Sequence, residues 1–133
     1  LILFNEAGVP CVFWGDLLGS PESDDLPAVR ELPILMELRA RAAVGPQHNA
    51  FDDPDVVGFA REGKDEIPGS GCAVILSDRM AAEKTLYVGT RHAGQEWECI
   101  IGGHRAVHVA DDGTLTGVVS DGGLSVYVPR RSA

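Results

Sequence analysis

From about residue 50 the chain is broken into short β-type runs by glycine- and aspartate-rich turns, and this rhythm limits its fold more than any other feature. Runs at 56–61, 72–77, 86–90, 106–109, 117–119 and 124–128 alternate with Gly63, Pro68-Gly69-Ser70-Gly71, Gly94, Gly102-Gly103, Asp111-Asp112-Gly113 and Asp121-Gly122-Gly123. Such turn compositions favour positive φ or side-chain capping of the backbone and leave no room for long helices. About six strands at this spacing predict an antiparallel sandwich or barrel.

The first third has another texture. An apolar run Cys11-Val12-Phe13-Trp14 lies between Gly8-Val9-Pro10 and Gly15-Asp16, as expected of a strand covered on both faces in a parallel sheet. The stretch "LLGSPESDDLP" reads as a loop, with Asp25 as N-cap near Pro27. A helix is predicted over 28–43, with Val29, Leu32, Leu35, Met36 and Ala43 on its apolar face, a bend or restart at Pro33, and an end at Gly45-Pro46. A strand-loop-helix unit followed by an all-β module makes an α+β chain.

At 133 residues, 44% of them hydrophobic and 23% charged, the chain can bury the core of one ordinary domain, or of a small domain carrying part of another. Its net charge of -9 disfavours nucleic acid and anionic membrane surfaces. No apolar run reaches the roughly 18 residues that span a bilayer, and the first residues lack a signal-peptide pattern. Cys11, Cys72 and Cys99 are far apart with no CxxC spacing, so neither a zinc site nor a redox motif is expected; their odd number leans towards a reducing, cytoplasmic compartment.

The segments "GVPCVFWGDLLG", "GPQHNAFDDPDVVGFAREG", "GSGCAVILSD", "LYVGTRHAGQEW" and "DGGLSVYVP" occur in the order in which similar segments close one family. Over essentially its whole length the chain resembles the C-terminal part of the liquefying, bacterial-type α-amylases of glycoside hydrolase family 13, a group that includes intracellular fungal members. The resemblance implies that residues 1–46 are the last strand and helix of an incomplete (β/α)8 TIM barrel, and 50–133 the Greek-key β-sandwich that follows it. It also implies that the catalytic residues, on barrel strands four, five and seven, all precede Leu1, so none lies in this chain. Retaining glycoside hydrolysis needs two carboxyl groups about 5–5.5 Å apart, and the chain alone is expected to be inactive. The implied substrate of the whole enzyme is an α-1,4-glucan, starch or glycogen.

The resemblance further implies a calcium ion between barrel and β domain. The matching ligand positions are Asp55, the carbonyl of Pro54 before Val56-Val57-Gly58, and Asp78 after "AVILS". Calcium takes 6–8 oxygens, so the rest would come from the barrel, and the isolated chain is expected to bind the ion weakly or not at all. The sequence departs from the family at Trp14 (commonly Tyr), Asn49 (commonly Asp), "RMAAEK" after Asp78 (commonly a Gly-rich turn) and "CIIGG" after Glu98 (commonly "DITGN").

Read from the residues alone, Asp52 and Asp53 are loop carboxylates and Asp78 is a turn-starting residue. His48, His92, His104 and His108 have no metal-binding spacing; His48 is expected to cap or pack the linker, and His92 has no assigned chemistry. Trp97, Tyr87 and Tyr127 would serve either as core or, together, as a sugar-stacking platform. The alternative to a glycosidase fragment is a stand-alone carbohydrate-binding or interaction module, which would need an exposed aromatic row and would not retain an apolar strand at 9–14. Residues 1–45, deprived of partners, are expected to expose apolar surface and promote self-association.

Overall fold

The computed structural model describes residues 32–51, 55–78, 81–120 and 123–130. The strand expected at 9–14, the loop after it and the N-cap at Asp25 lie outside the described residues, as does Pro54. Helix α1 spans Leu32–Arg41, followed by eight strands: β1 Gln47–Ala50, β2 Val56–Arg61, β3 Cys72–Ser77, β4 Ala82–Tyr87, β5 Glu96–Ile101, β6 Val107–His108, β7 Thr114–Val119 and β8 Leu124–Pro129. Six of them form an antiparallel sheet in the order β1-β2-β3-β8-β5-β6, and β4 pairs with β7 in a separate two-stranded ribbon.

Strands β2 and β3 coincide with the predicted runs, and β8 extends the last one to Pro129. The run predicted at 86–90 is instead β4, with Thr90–His92 forming a single 3-10 turn. Its alternation of inward Ala82 and Leu86 with outward Glu83, Thr85 and Tyr87 is that of a strand covered on one face only. Strand β7 starts earlier than predicted, at Thr114, and β6 is shorter, while β1 and β5 were not expected as strands.

Period-two alternation lets the large sheet bury both faces. One face carries Val56, Ala60, Ala73, Ile75, Trp97 and Tyr127, which meet Leu86, Leu115 and Val119 of the ribbon. The other carries Phe59, Cys72, Val74, Val126 and Val128, which meet Leu38, Ala42 and Ala43 at the C-terminal end of α1. The layers are therefore helix, sheet, ribbon. The apolar stripe of α1 differs from the predicted one: Leu38 and Ala42 are buried, Leu35 is partly so, and Met36 and Ile34 are exposed. Pro33 is the second residue of α1 as described.

Past the helix the chain is fastened to the hairpin joining β2 and β3. Gly63 N–H donates to Val44 O (2.9 Å), Gly71 N–H to Ala42 O (2.8 Å) and Glu62 N–H to Pro46 O (2.9 Å). The Arg61 guanidinium, almost entirely buried, donates from Nε to Gly45 O at 2.9 Å. Gly45 has φ 84°, and a Cβ there would lie 2.3 Å from Gly63 O, so both backbone conformation and approach require glycine.

The ribbon is pinned to the sheet through β8. Tyr127 Oη accepts from Val118 N–H at 2.9 Å and lies 3.2 Å from Val118 O, to which Ser125 Oγ donates at 2.6 Å. Removing the phenol leaves a strand N–H without its acceptor, so Tyr127→Phe is expected to cost about 1–3 kcal/mol, read as a lower urea midpoint at unchanged slope.

Cys72, fully buried beneath α1, has its thiol pushed up to about 12 by burial, with Arg61 opposing. The unfolded chain loses this proton near the ordinary value of 9.0, so the contribution to stability is complete below that pH and disappears as pH rises towards about 12. The urea midpoint is expected to fall over this range, and to fall less steeply in Cys72→Ala; parallel curves would show that Cys72 is not the group responsible.

Candidate functional site

Of the three ligand positions inferred from sequence, two are brought together. Pairing of β2 with β3 sets Val56 opposite Ser77, which places the residue entering β2 beside the residue leaving β3. Asp78 N–H accordingly donates to Asp55 O at 3.2 Å, closing the sheet at this end. Asp55 is half-buried and Asp78 exposed. Ser77 N–H donates to Gly123 O at 3.1 Å, and Gly123 N–H to Ser120 O at 3.0 Å, so the β7–β8 turn reaches the same corner. Carboxylates are hard oxygen donors suited to a divalent cation such as calcium, but two of them supply only part of its shell. Among the described residues no three His, Cys, Asp or Glu side chains form a metal-binding group.

The opposite end of β2 carries a cluster that sequence reasoning missed. His48 Nε2 lies 2.8 Å from Glu62 Oε2, and His92 Nε2 lies 2.6 Å from Glu62 O. Arg91 stands beside Glu62, 3.9 Å away, and donates to Asp65 at 3.1 Å. On its other side the His92 ring meets Gln95 Oε1 at 2.8 Å, while Trp97 Nε1–H donates to the same oxygen at 3.3 Å. His48 is therefore a strand residue held by a carboxylate. These partners are 14 and 30 residues apart: β1–β2 pairing brings His48 beside Glu62, and the 3-10 turn at Thr90–His92 brings in His92. The cluster borders an open cleft of about 780 Å³ lined by Pro68, Gly69, His92, Glu96, Pro129 and Arg130. Each carboxylate in it has a basic neighbour: Glu62 stands beside Arg91 and bonds to the His48 ring, and Glu96 pairs with Arg130 at 2.9 Å. Such a pattern fixes loops to the sheet.

The three aromatic residues considered as a sugar platform part company. Trp97 and Tyr127 are fully buried in the sandwich core, whereas Tyr87 is 38% exposed. Burying two large rings stabilises the fold more than a scattered surface contact would, and the row on which a free-standing binding module would depend is absent from the described residues.

No protein-family model matches the chain. It is 37% identical over 133 residues to the α-amylase of Geobacillus stearothermophilus, a match that takes in 98% of this chain and 24% of that enzyme. The solved structure of an Anoxybacillus α-amylase superposes with a TM-score of 0.65 at 18% identity, covering 98% of this chain and 31% of the other. An AmyP variant crystallised with maltotriose gives a TM-score of 0.53 at 14% identity, over 87% of this chain and 23% of that one. The chain thus matches the C-terminal part of α-amylases and spans about a quarter of the length of the curated relatives it matches.

Proposed function

We propose that this chain is the C-terminal part of a retaining α-amylase-type glycoside hydrolase, cleaving internal α-1,4 bonds of starch or glycogen with carboxylates that lie outside these 133 residues. The observation that carries the reading is the match to α-amylases along 98% of the chain, with an antiparallel β fold that superposes on an α-amylase. In this reading residues 1–46 are the last strand and helix of a (β/α)8 barrel and residues 50–133 a Greek-key β domain. The seat of α1 on the large sheet is then the junction between them. In this reading the parent enzyme takes an α-glucan through its barrel, and the AmyP neighbour's complex with maltotriose supports an α-glucan as the substrate class.

The β domain would support the barrel's flank and help to hold an interdomain calcium. Asp55 and Asp78, paired at one corner of the sheet, would supply carboxylate oxygens, and Pro54 its carbonyl. A bound cation would neutralise the two carboxylates and tie the strand ends to the barrel. With the N-terminally extended protein, calcium is expected to raise the unfolding temperature, and Asp78→Ala to remove most of that rise. An equal rise in both proteins would overturn the assignment of Asp78.

The deciding experiment is starch hydrolysis by this chain beside the same protein extended N-terminally to a full barrel, in matched calcium. Activity is expected in the extended form only; hydrolysis by the 133 residues themselves would overturn the reading. Ile34 and Met36 on the solvent side of α1, with the apolar run at 9–14, favour self-association of the isolated chain. Size-exclusion chromatography is expected to show species larger than a monomer, and a single monomeric peak would argue against it.

A further inference from the structure

We propose that His92 is a proton-operated latch: with two protons its ring ties the β2–β3 hairpin to Gln95 at the foot of β5, and with one it releases Gln95. Nε2 lies 2.6 Å from Glu62 O, and Nδ1 lies 2.8 Å from Gln95 Oε1. Glu62 O is a carbonyl and can only accept. The Gln95 atom is identified as the amide oxygen by Trp97 Nε1–H, a pure donor that points at it from 3.3 Å. Two acceptors therefore face one imidazole. A neutral ring donates at a single nitrogen, so only the imidazolium makes both bonds.

Water has little access to the bond that is given up. The ring is 6% exposed and stands edge to face with Trp97 at 5.0 Å, and a Cβ at Gly71 would come within 3.3 Å of Nε2. Of the two bonds the shorter, to Glu62, is kept. Gln95 is exposed and lines the cleft, so its amide can turn outwards. That turn strips the fully buried Trp97 of the acceptor for its indole N–H, and an unpaired buried donor is costly. The hairpin on the other side of the ring is the one that fastens the end of α1, through Glu62 N–H to Pro46 O and Gly63 N–H to Val44 O. The latch thus couples that connection to β5 and the cleft wall.

The charged groups around the ring offset one another. The hairpin brings Glu62, Lys64 and Asp65, the 3-10 turn brings Arg91, β5 brings Glu96 and the residue after β8 is Arg130, all bordering the cleft or the recess beside it. Arg91 bonds to Asp65 and Arg130 to Glu96, while His48 of β1 lies against the Glu62 carboxyl. With carboxylates and cations matched in this way, the two hydrogen bonds decide how the ring responds to a proton. A ring that completes its bonds only with the second proton binds that proton more tightly when folded than when unfolded. The stability gained is complete below about 6.5, the ordinary histidine value, and is lost as pH rises above it.

The test is a pH titration of the ¹⁵N-labelled 133-residue chain across the histidine range, following the ring nitrogens of His92, the side-chain amide of Gln95 and the indole N–H of Trp97. All three are expected to shift with one common midpoint, and both His92 nitrogens to carry protons at its acid end. Gln95→Met keeps the imidazole and removes one acceptor, so it is expected to abolish the indole shift. The parent's advantage over Gln95→Met in urea midpoint is expected to grow as pH falls and to shrink as pH rises. His48→Gln leaves both acceptors of His92 in place and is expected to retain the indole shift. An indole signal that stays still while His92 titrates, an Nδ1 without a proton at every pH, or a parent advantage that does not vary with pH would each overturn the latch. Loss of the indole shift in His48→Gln would overturn it too, by moving the switch to His48.

Discussion

Replacing Trp97 with alanine is expected to remove about 3–5 kcal/mol of stability, the range for deleting a fully buried aromatic side chain. The magnitude follows from position. Trp97 sits in β5 opposite Val107 of β6 and Pro129 of β8, so it joins three strands of the large sheet. Its ring is fully buried in the core shared with Leu86, Leu115 and Val119, and meets the His92 ring edge to face at 5.0 Å. Alanine would leave a cavity among side chains fixed by backbone pairing on several sides, and would free Gln95 Oε1 from the indole N–H that holds it beside His92. A small domain is stable by only about 5–15 kcal/mol, so the variant should stand near the edge of folding. Urea unfolding followed by far-ultraviolet circular dichroism measures the loss. Phe51→Ala, at a half-exposed site, is the matched control, expected within about 0.5 kcal/mol of the parent chain. Comparable losses in the two variants would contradict the burial of Trp97.

How much could be read from sequence depended on how many faces each strand covers. β2 and β3 lie between the ribbon and α1, so "VVGFAR" and "CAVILS" are nearly continuous apolar runs, and their bounds were legible. β4 is covered on one face, and "AEKTLY" hides two inward apolar residues among charges. β5 reads "EWECII" and shifts register between Cys99 and Ile101, so its outward glutamates and its irregularity both masked it. β1, "QHNA", is a polar edge strand, which suits an edge because it gives another chain little to pair with. The helix was legible as a helix, but its buried stripe runs through Leu35, Leu38 and Ala42, since it meets a sheet laid across its C-terminal half. Asp55 and Asp78 were singled out through family resemblance, and their adjacency follows from the β2–β3 pairing. The convergence of His48 and His92 on Glu62 had no local signal, because the partners are 14 and 30 residues apart in sequence.

Gly117→Val sets local preference against packing. Valine is a strong strand former, and at the centre of β7 propensity alone favours the change by up to about 1 kcal/mol. Packing opposes it. A Cβ at Gly117 would lie 2.7 Å from Ile75 Cδ1 and 2.7 Å from the Tyr127 ring, because the ribbon rests directly on these side chains. Both are fully buried, so neither can swing into solvent, and relief requires lifting β7. Overfilling a packed core typically costs about 1–3 kcal/mol. Lifting β7 also lengthens the bonds by which Tyr127 and Ser125 hold Val118, and an unmet buried group adds about 1–3 kcal/mol. The costs exceed the propensity gain, so the variant should lose roughly 2–5 kcal/mol by this sum. Gly117→Ala should fall between it and the parent chain. Shortening Ile75 opens the missing space, so Ile75→Ala is expected to cost less in the Gly117→Val background than alone, a coupling readable from a double-mutant cycle of urea midpoints. A Gly117→Val chain as stable as the parent, or strictly additive losses in that cycle, would mean that the ribbon does not rest on Ile75 and Tyr127.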